Sequence, residues 1–376
     1  MSVSPSAAYV HIPFCAHHCG YCDFAVTAGQ DRLIDMYLEA LSLEIGQPES
    51  LPRRLTTLFL GGGTPSHLNL RQLDRLFGDL DRWLPRAAGA EVSLEANPDS
   101  FDADKAKLLA QRGVTRISLG VQSFQSHLLR VLERRHDPGH VAPAITAARD
   151  NGLALSLDLI FGVPGQTFDE WASDLQHAVE LRPDHISTYG LTFETGTRLW
   201  KQRRGGELTS LDEDLEYRMY RHAMEALEKA GFEQYEISSF ARPGMRCRHN
   251  QVYWANGPFW GFGVGAAAYV SGTRTLNVRN TQEYIRRLFA GESPVFQSET
   301  LTPEERARET LTLNLRRDDG IDREQFREQT GFDVDELARA ALRRHTEAGL
   351  INDDGRRLRL TRAGRCVADS VVTDLL

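Results

Sequence analysis

The stretch "FCAHHCGYCDF", residues 14–24, brings Cys15, Cys19 and Cys22 within eight positions, although the whole chain of 376 residues holds five cysteines. So few thiols, so tightly bunched, do not make a disulfide framework in a chain of this size. Under reducing conditions they are free for metal. Zinc is one reading, with three thiolates and His11, His17 or His18 completing a tetrahedron. Structural zinc usually draws its ligands from two separated knuckles, however, and no distant cysteine pair closes such a site here. A four-iron cluster is the other reading. Held by three thiolates, it leaves one iron without a protein ligand, open to a small molecule.

Further residues suited to chemistry stand where apolar runs end. Leu58-Phe59-Leu60 leads into Gly61-Gly62-Gly63-Thr64-Pro65, a turn whose bare backbone can approach a bound molecule closely. It is not a phosphate loop, because no Gly-Lys-Ser/Thr follows. Glu95 in "VSLEANP", Gln122 in "SLGVQSF" and Asp158 in "LDLIFGVP" interrupt apolar runs. An unpartnered carboxylate or amide is costly to bury, so each must face a partner or a ligand.

The elements that would position these groups alternate between strand and helix, the pattern of βα units around a parallel sheet. Strands are expected near residues 8–11, 55–60, 91–95, 116–119, 154–160 and 185–189. Between them, Leu70, Leu73, Leu76, Phe77, Leu80 and Leu84 form a helical stripe, and another helix spans about 168–180, before Pro183. Six units are too few for a full eight-stranded barrel. The expected architecture is α/β, an incomplete (β/α)6 partial TIM barrel over residues 1–235, with its open side available to a ligand. The cysteine loop follows the first strand, and barrel enzymes keep their chemistry at such strand ends. Residues 236–300, rich in Gly and aromatics, suggest irregular strands with close backbone contacts. Residues 301–376 read as a small winged-helix-like α+β domain, begun by Thr302, Pro303 and Glu305 in a capping-box pattern and ending near a hairpin at Asp354-Gly355.

A net charge of −8 argues against a general nucleic-acid binder, so the C-terminal unit is expected to serve packing or a protein partner rather than DNA. No apolar run approaches the roughly 20 residues that cross a bilayer. The first residues lack a secretory pattern, and a cytoplasmic location is expected.

The Cys-x3-Cys-x2-Cys spacing is the hallmark of the radical S-adenosylmethionine (radical SAM) proteins. Together with Tyr9-Val10-His11-Ile12-Pro13-Phe14-Cys15, the chain resembles the family of oxygen-independent coproporphyrinogen III dehydrogenases and their HemW-type haem-chaperone relatives, over nearly its whole length. That resemblance implies a [4Fe-4S] cluster on Cys15, Cys19 and Cys22, and S-adenosyl-L-methionine at the free iron. It assigns Tyr9, Tyr21, Gly62, Gly63, Thr64, Glu95, Gln122, Arg134 and Asp158 to the cofactor pocket, with Arg135 the neighbour most easily confused with Arg134. Two departures disfavour the decarboxylating enzyme, leaving it uncertain whether the chain is an enzyme: Phe24 stands where the dehydrogenases carry a further cysteine, and eight residues precede Tyr9 where they have an extension. His249-Asn250-x-x-Tyr253-Trp254 matches the motif associated with haem in the chaperones, since a neutral imidazole can ligate iron beside aromatic faces. The alternative for His249 is a buried, hydrogen-bonded histidine; Cys247 is a second conceivable axial ligand or a small buried filler. The implied partners are haem as cargo, haem-acceptor proteins, a low-potential electron donor of flavodoxin or ferredoxin type and a peripheral membrane contact.

Overall fold

A computed structural model describes residues 5–47 and 54–376. Six strands run parallel and in sequence order: β1 (Ala7–Ile12), β2 (Leu55–Gly62), β3 (Arg86–Ala96), β4 (Arg116–Gln122), β5 (Ala154–Phe161) and β6 (His185–Gly190). All six expected strands are present. β3 starts five residues before its expected limit, and its register against β2 shifts between Leu55 and Thr57, with Gly89 in the left-handed region at φ +69°.

Side chains alternate across these strands. Leu58, Leu60, Val92, Leu94, Ile117, Leu119, Leu155, Leu157 and Ile186 point to one face and form a continuous core with the helices. The other phase, Glu95, Arg116, Ser118, Ser156, Asp158, His185 and Ser187, lines the barrel interior. The Leu70–Trp83 helix opens on a capping box between Asn69 and Gln72, and it buries Leu73, Leu76, Phe77 and Leu80 while Leu70 stays exposed. The Phe168–Glu180 helix is held by the Thr167 and Glu170 capping box and buries Trp171 completely.

The segment after residue 236 is more regular than expected. Ser239–Ala241 pairs antiparallel with β6 and Glu233–Gln234 lies beyond it, while Trp260–Phe262 pairs parallel with β1. These pairings satisfy backbone groups that would be left open at both edges of the six-stranded sheet. "RHNQVYW" forms the Arg248–Trp254 helix. The close backbone approach is real, since a Cβ on Gly261 would lie 1.8 Å from the Ala267 carbonyl oxygen.

The C-terminal region starts with the Pro303–Leu315 helix, capped by Thr302 and Glu305. Ile351–Asp353 and Arg357–Leu360 form the hairpin around Asp354-Gly355, and Ile321–Asp322 adds a third strand. Leu311, Leu315, Phe326, Leu342, Leu358 and Val371 give this region a separate core. Among the described residues no helix is long and apolar enough to cross a membrane.

Candidate cluster and cofactor site

β1 delivers the chain to the cysteine loop, which is fastened from several directions. Phe14–Cys15 pairs with Thr27–Ala28. The amides of Gly63 and Thr64 donate to the carbonyls of Ile12 and Phe14, each at 2.9 Å. At the loop centre, the Gly20 amide donates to Leu132 O at 3.2 Å, and its carbonyl accepts from Leu199 N at 2.9 Å. The three cysteines are half-buried along a cavity of about 520 Å3 that is also lined by Tyr21, Gly62, Gly63, Thr64, Glu95, Gln122, Arg134 and Asp158. Eleven of the thirteen residues that the family resemblance assigns to cluster, cofactor pocket or haem therefore meet in one place. Arg134 enters this cavity and Arg135 is exposed, which separates the two neighbours.

The donor set fits an iron–sulfur cluster. Three thiols on one short loop offer soft ligands to a soft metal centre. Burial pushes Cys15 up to about 11 and Cys22 up to about 12, so both are neutral thiols until a metal displaces their protons. Cys15 Sγ lies 3.3 Å from Thr64 Oγ1, and Arg134 Nη1 lies 3.7 Å from Cys19 Sγ. Arg134 is positioned in turn by Asn97 Oδ1 at 2.6 Å and Gly120 O at 2.8 Å.

The glycine turn has a sterically defined role. Gly62 sits at φ +103°, and a Cβ there would lie 2.2 Å from the His11 ring. A Cβ on Gly63 would lie 2.6 Å from Ile12 O and Pro13 C. The turn is bare first because the strand carrying the cysteine loop packs against it. Gly62 N–H donates to Glu95 Oε2 at 2.9 Å, which aims the carboxylate at the cavity. Burial raises Glu95 to about 7, with Asp158 adding to the rise. Asp158 is raised to about 6 by burial, although it accepts from Ser118 Oγ at 2.9 Å. The β4–β5 register shifts between Gly120 and Gln122, and Gln122 adopts φ +65°. This bulge re-aims Gln122 to the rim at the cost of some backbone strain.

Tyr9 and His249 line a second cavity of about 690 Å3, which shares Gly62, Glu95, Asp158 and Tyr189 with the first. Phe24, Phe59, Tyr253, Phe259 and Tyr269 supply aromatic wall. His249 does not offer this space a free nitrogen. Its Nδ1 lies 3.0 Å from Thr57 Oγ1 and its Nε2 2.7 Å from Tyr253 Oη, while its ring stacks on Phe59 at 5.3 Å. Burial holds it far below the usual imidazole range, at about 3, so the ring is neutral, donating to one hydroxyl and accepting from the other. Cys247 is buried with its Sγ 3.5 Å from Glu91 Oε1.

Sequence reasoning missed the support beneath these groups. The Arg248–Trp254 helix has no side-chain cap of its own, and Glu91 of β3 supplies one, accepting from the amides of Arg248 and His249 at 3.0 Å each. Arg116 lies 3.7 Å behind Glu91 and donates to Met245 O at 2.8 Å. Asn97 was equally overlooked, although it directly follows "LEA" at the strand end. The available signal was the period-two recurrence of polar residues in "EVSLE", "RISLG" and "HISTY", which marks the interior face along whole strands.

Residues 9–178 match the radical SAM superfamily and residues 301–367 the HemN C-terminal domain. A partial barrel with a three-cysteine loop at the end of its first strand places the molecule in that class. Heme chaperone HemW of Bacillus subtilis (strain 168) is 38% identical over 374 residues, covering 97% of either chain. Heme chaperone HemW of Synechocystis sp. is 40% identical over 326 residues, covering 84% of this chain and 79% of its own. The chain belongs to the HemW family of radical SAM proteins. The solved structure described as coproporphyrinogen III oxidase (HemN) from Escherichia coli has the same fold, with a TM-score of 0.88 over 99% of this chain and 90% of that one, at 24% identity.

Proposed function

We propose that this chain is a haem chaperone that binds haem in the aromatic cavity and hands it to acceptor proteins. In this reading a [4Fe-4S] cluster sits on Cys15, Cys19 and Cys22, with S-adenosylmethionine in the adjoining cavity. The observation that carries it is the 38% identity to a heme chaperone over 97% of either chain. Phe24 adds support: its exposed ring stands at the rim of both cavities, where the dehydrogenases would have a thiol.

When bound, the cluster supplies an open iron for the amine and carboxylate of S-adenosylmethionine and a route for one electron to its sulfonium. The chain positions and shields. Glu95 and Asp158 present carboxylates to a cationic ligand, the glycine turn brings backbone groups within reach of it, and Arg134 sets positive charge beside Cys19. Ligation of haem iron by His249 requires the Tyr253 hydroxyl to leave Nε2 or the Thr57 hydroxyl to leave Nδ1, so the imidazole becomes a ligand only as one of those bonds opens.

Titrating anaerobically prepared protein with haem should give saturable binding, and incubation with coproporphyrinogen III, S-adenosylmethionine and reductant should yield no protoporphyrinogen. Protoporphyrinogen formation would overturn the chaperone reading. His249→Ala should alter the absorption spectrum of the haem complex; an unaltered spectrum and affinity would remove His249 from the haem site.

The raised carboxylates give S-adenosylmethionine binding a pH dependence of definite sign. A cationic ligand stabilises the ionised forms and lowers both values on binding, so affinity levels off about one unit above pH 7. It falls as protons compete below about 7 for Glu95 and about 6 for Asp158. The dissociation constant should rise by up to about tenfold per pH unit for each group that titrates. Equilibrium binding between pH 8 and 5.5 checks this, and Glu95→Gln should remove the upper step. A flat profile in the parent would remove both carboxylates from contact with the ligand.

A further inference from the structure

The Arg198–Arg204 helix, "RLWKQRR", carries four positive charges in seven residues of a chain whose net charge is −8. Glu194 and Glu207 flank it and offset part of that charge. Arg198, Lys201 and Arg204 recur every third residue and so share one face, and all three are exposed. Arg198 pairs with Glu133 at 2.7 Å, whereas Lys201, Arg203 and Arg204 form no ion pair among the described residues. Arg204 lies over the Trp200 ring at 5.2 Å.

Exposed basic helices are ordinarily solvated faces. This one is distinguished by its position. Its Leu199 amide is the donor to Gly20 O, so the helix is tied to the centre of the cysteine loop. Arg198 and Lys201 line a groove of about 250 Å3 together with His18, Cys19 and Cys22. Cys19 and Cys22 thus border two spaces, the interior cavity and this outer groove, while Cys15 borders the interior one. A cluster held there has an inner side toward the cofactor cavity and an outer side beneath the basic helix.

We propose that this helix is the landing surface for a small acidic, low-potential electron-transfer protein, steered to the outer side of the cluster by Lys201 and Arg204. The proposal rests on the cluster reading of the three cysteines. One electron leaves the reduced donor and enters the oxidised cluster; no bond forms or breaks. A cationic patch beside the point of transfer accelerates encounter with an acidic partner, and does so less as salt screens it.

The test is anaerobic stopped-flow reduction of the cluster in the full-length protein by reduced flavodoxin, with parent and K201E/R204E compared. Both side chains are exposed, so the double variant should keep the parental iron content. At low ionic strength its reduction by flavodoxin should be at least about tenfold slower, with the difference disappearing near 1 M salt, where charges are screened within about 3 Å. Reduction by the methyl viologen radical cation should be unchanged or faster. Equal flavodoxin rates in parent and variant, or a parental rate indifferent to salt, would overturn the docking proposal and leave the cluster reading standing. A parent without any reducible iron–sulfur chromophore would overturn both.

Discussion

Replacing Cys15, Cys19 or Cys22 with alanine is expected to strip the chain of iron and sulfide and of the brown chromophore of anaerobically prepared parent protein. Each thiol stands on a wall of the 520 Å3 cavity rather than inside the hydrophobic core, so its loss would remove a ligand without opening a large void. Two remaining thiolates leave two irons without protein ligands, and such a cluster dissociates. Cys247→Ala is the matched control, since that thiol is buried against Glu91 away from the loop. Iron and sulfide analysis with visible absorption reads the result. Undiminished iron in the loop variants would end the cluster assignment, and the proposals for S-adenosylmethionine and the electron donor with it.

The second large effect is expected from Gly63→Ala. The added methyl would meet the backbone of Ile12 and Pro13 at 2.6 Å, and backbone cannot move aside as a long side chain can. Overpacking costs about 1–3 kcal/mol in general, and a clash with backbone belongs near about 3 kcal/mol. The damage should also reach function, because the amides of Gly63 and Thr64 fasten the strand that delivers Cys15. Denaturant unfolding should show the lost stability, and reconstitution should show a reduced iron load. Gly78→Ala reverses the sign: Gly78 lies exposed within the Leu70–Trp83 helix, where the added methyl would meet nothing within 4 Å beyond the helix's own backbone, so stability should rise by about 0.5–1 kcal/mol. A Gly63→Ala protein with parental stability and full iron would disprove this account of the turn.

The pocket and the barrel differ in how they can be read. The cysteine loop, the glycine turn, Glu95, Gln122 and Asp158 were legible because each departs from its surroundings in sequence: thiols where thiols are scarce, or polar residues inside apolar runs. The six strands and the flanking helices were legible from periodicity, because a face that meets a core must repeat its apolar residues. Arg134 needed family likeness to be chosen over Arg135, and its burial beside Asn97 and Cys19 supplies the physical reason.

The sequence by itself determined the ligand chemistry and the order of the βα units, since both follow from residue type and local spacing. Tertiary structure alone decided how distant segments meet. It put Trp260–Phe262 against β1, made Glu91 the cap of the helix bearing His249, and brought Thr57 to Nδ1 of that imidazole, whose Nε2 is held by Tyr253 one helical turn away. Contacts across 158 and 192 positions leave no local pattern, because a hydrogen bond constrains the two atoms it joins and nothing in the chain between them.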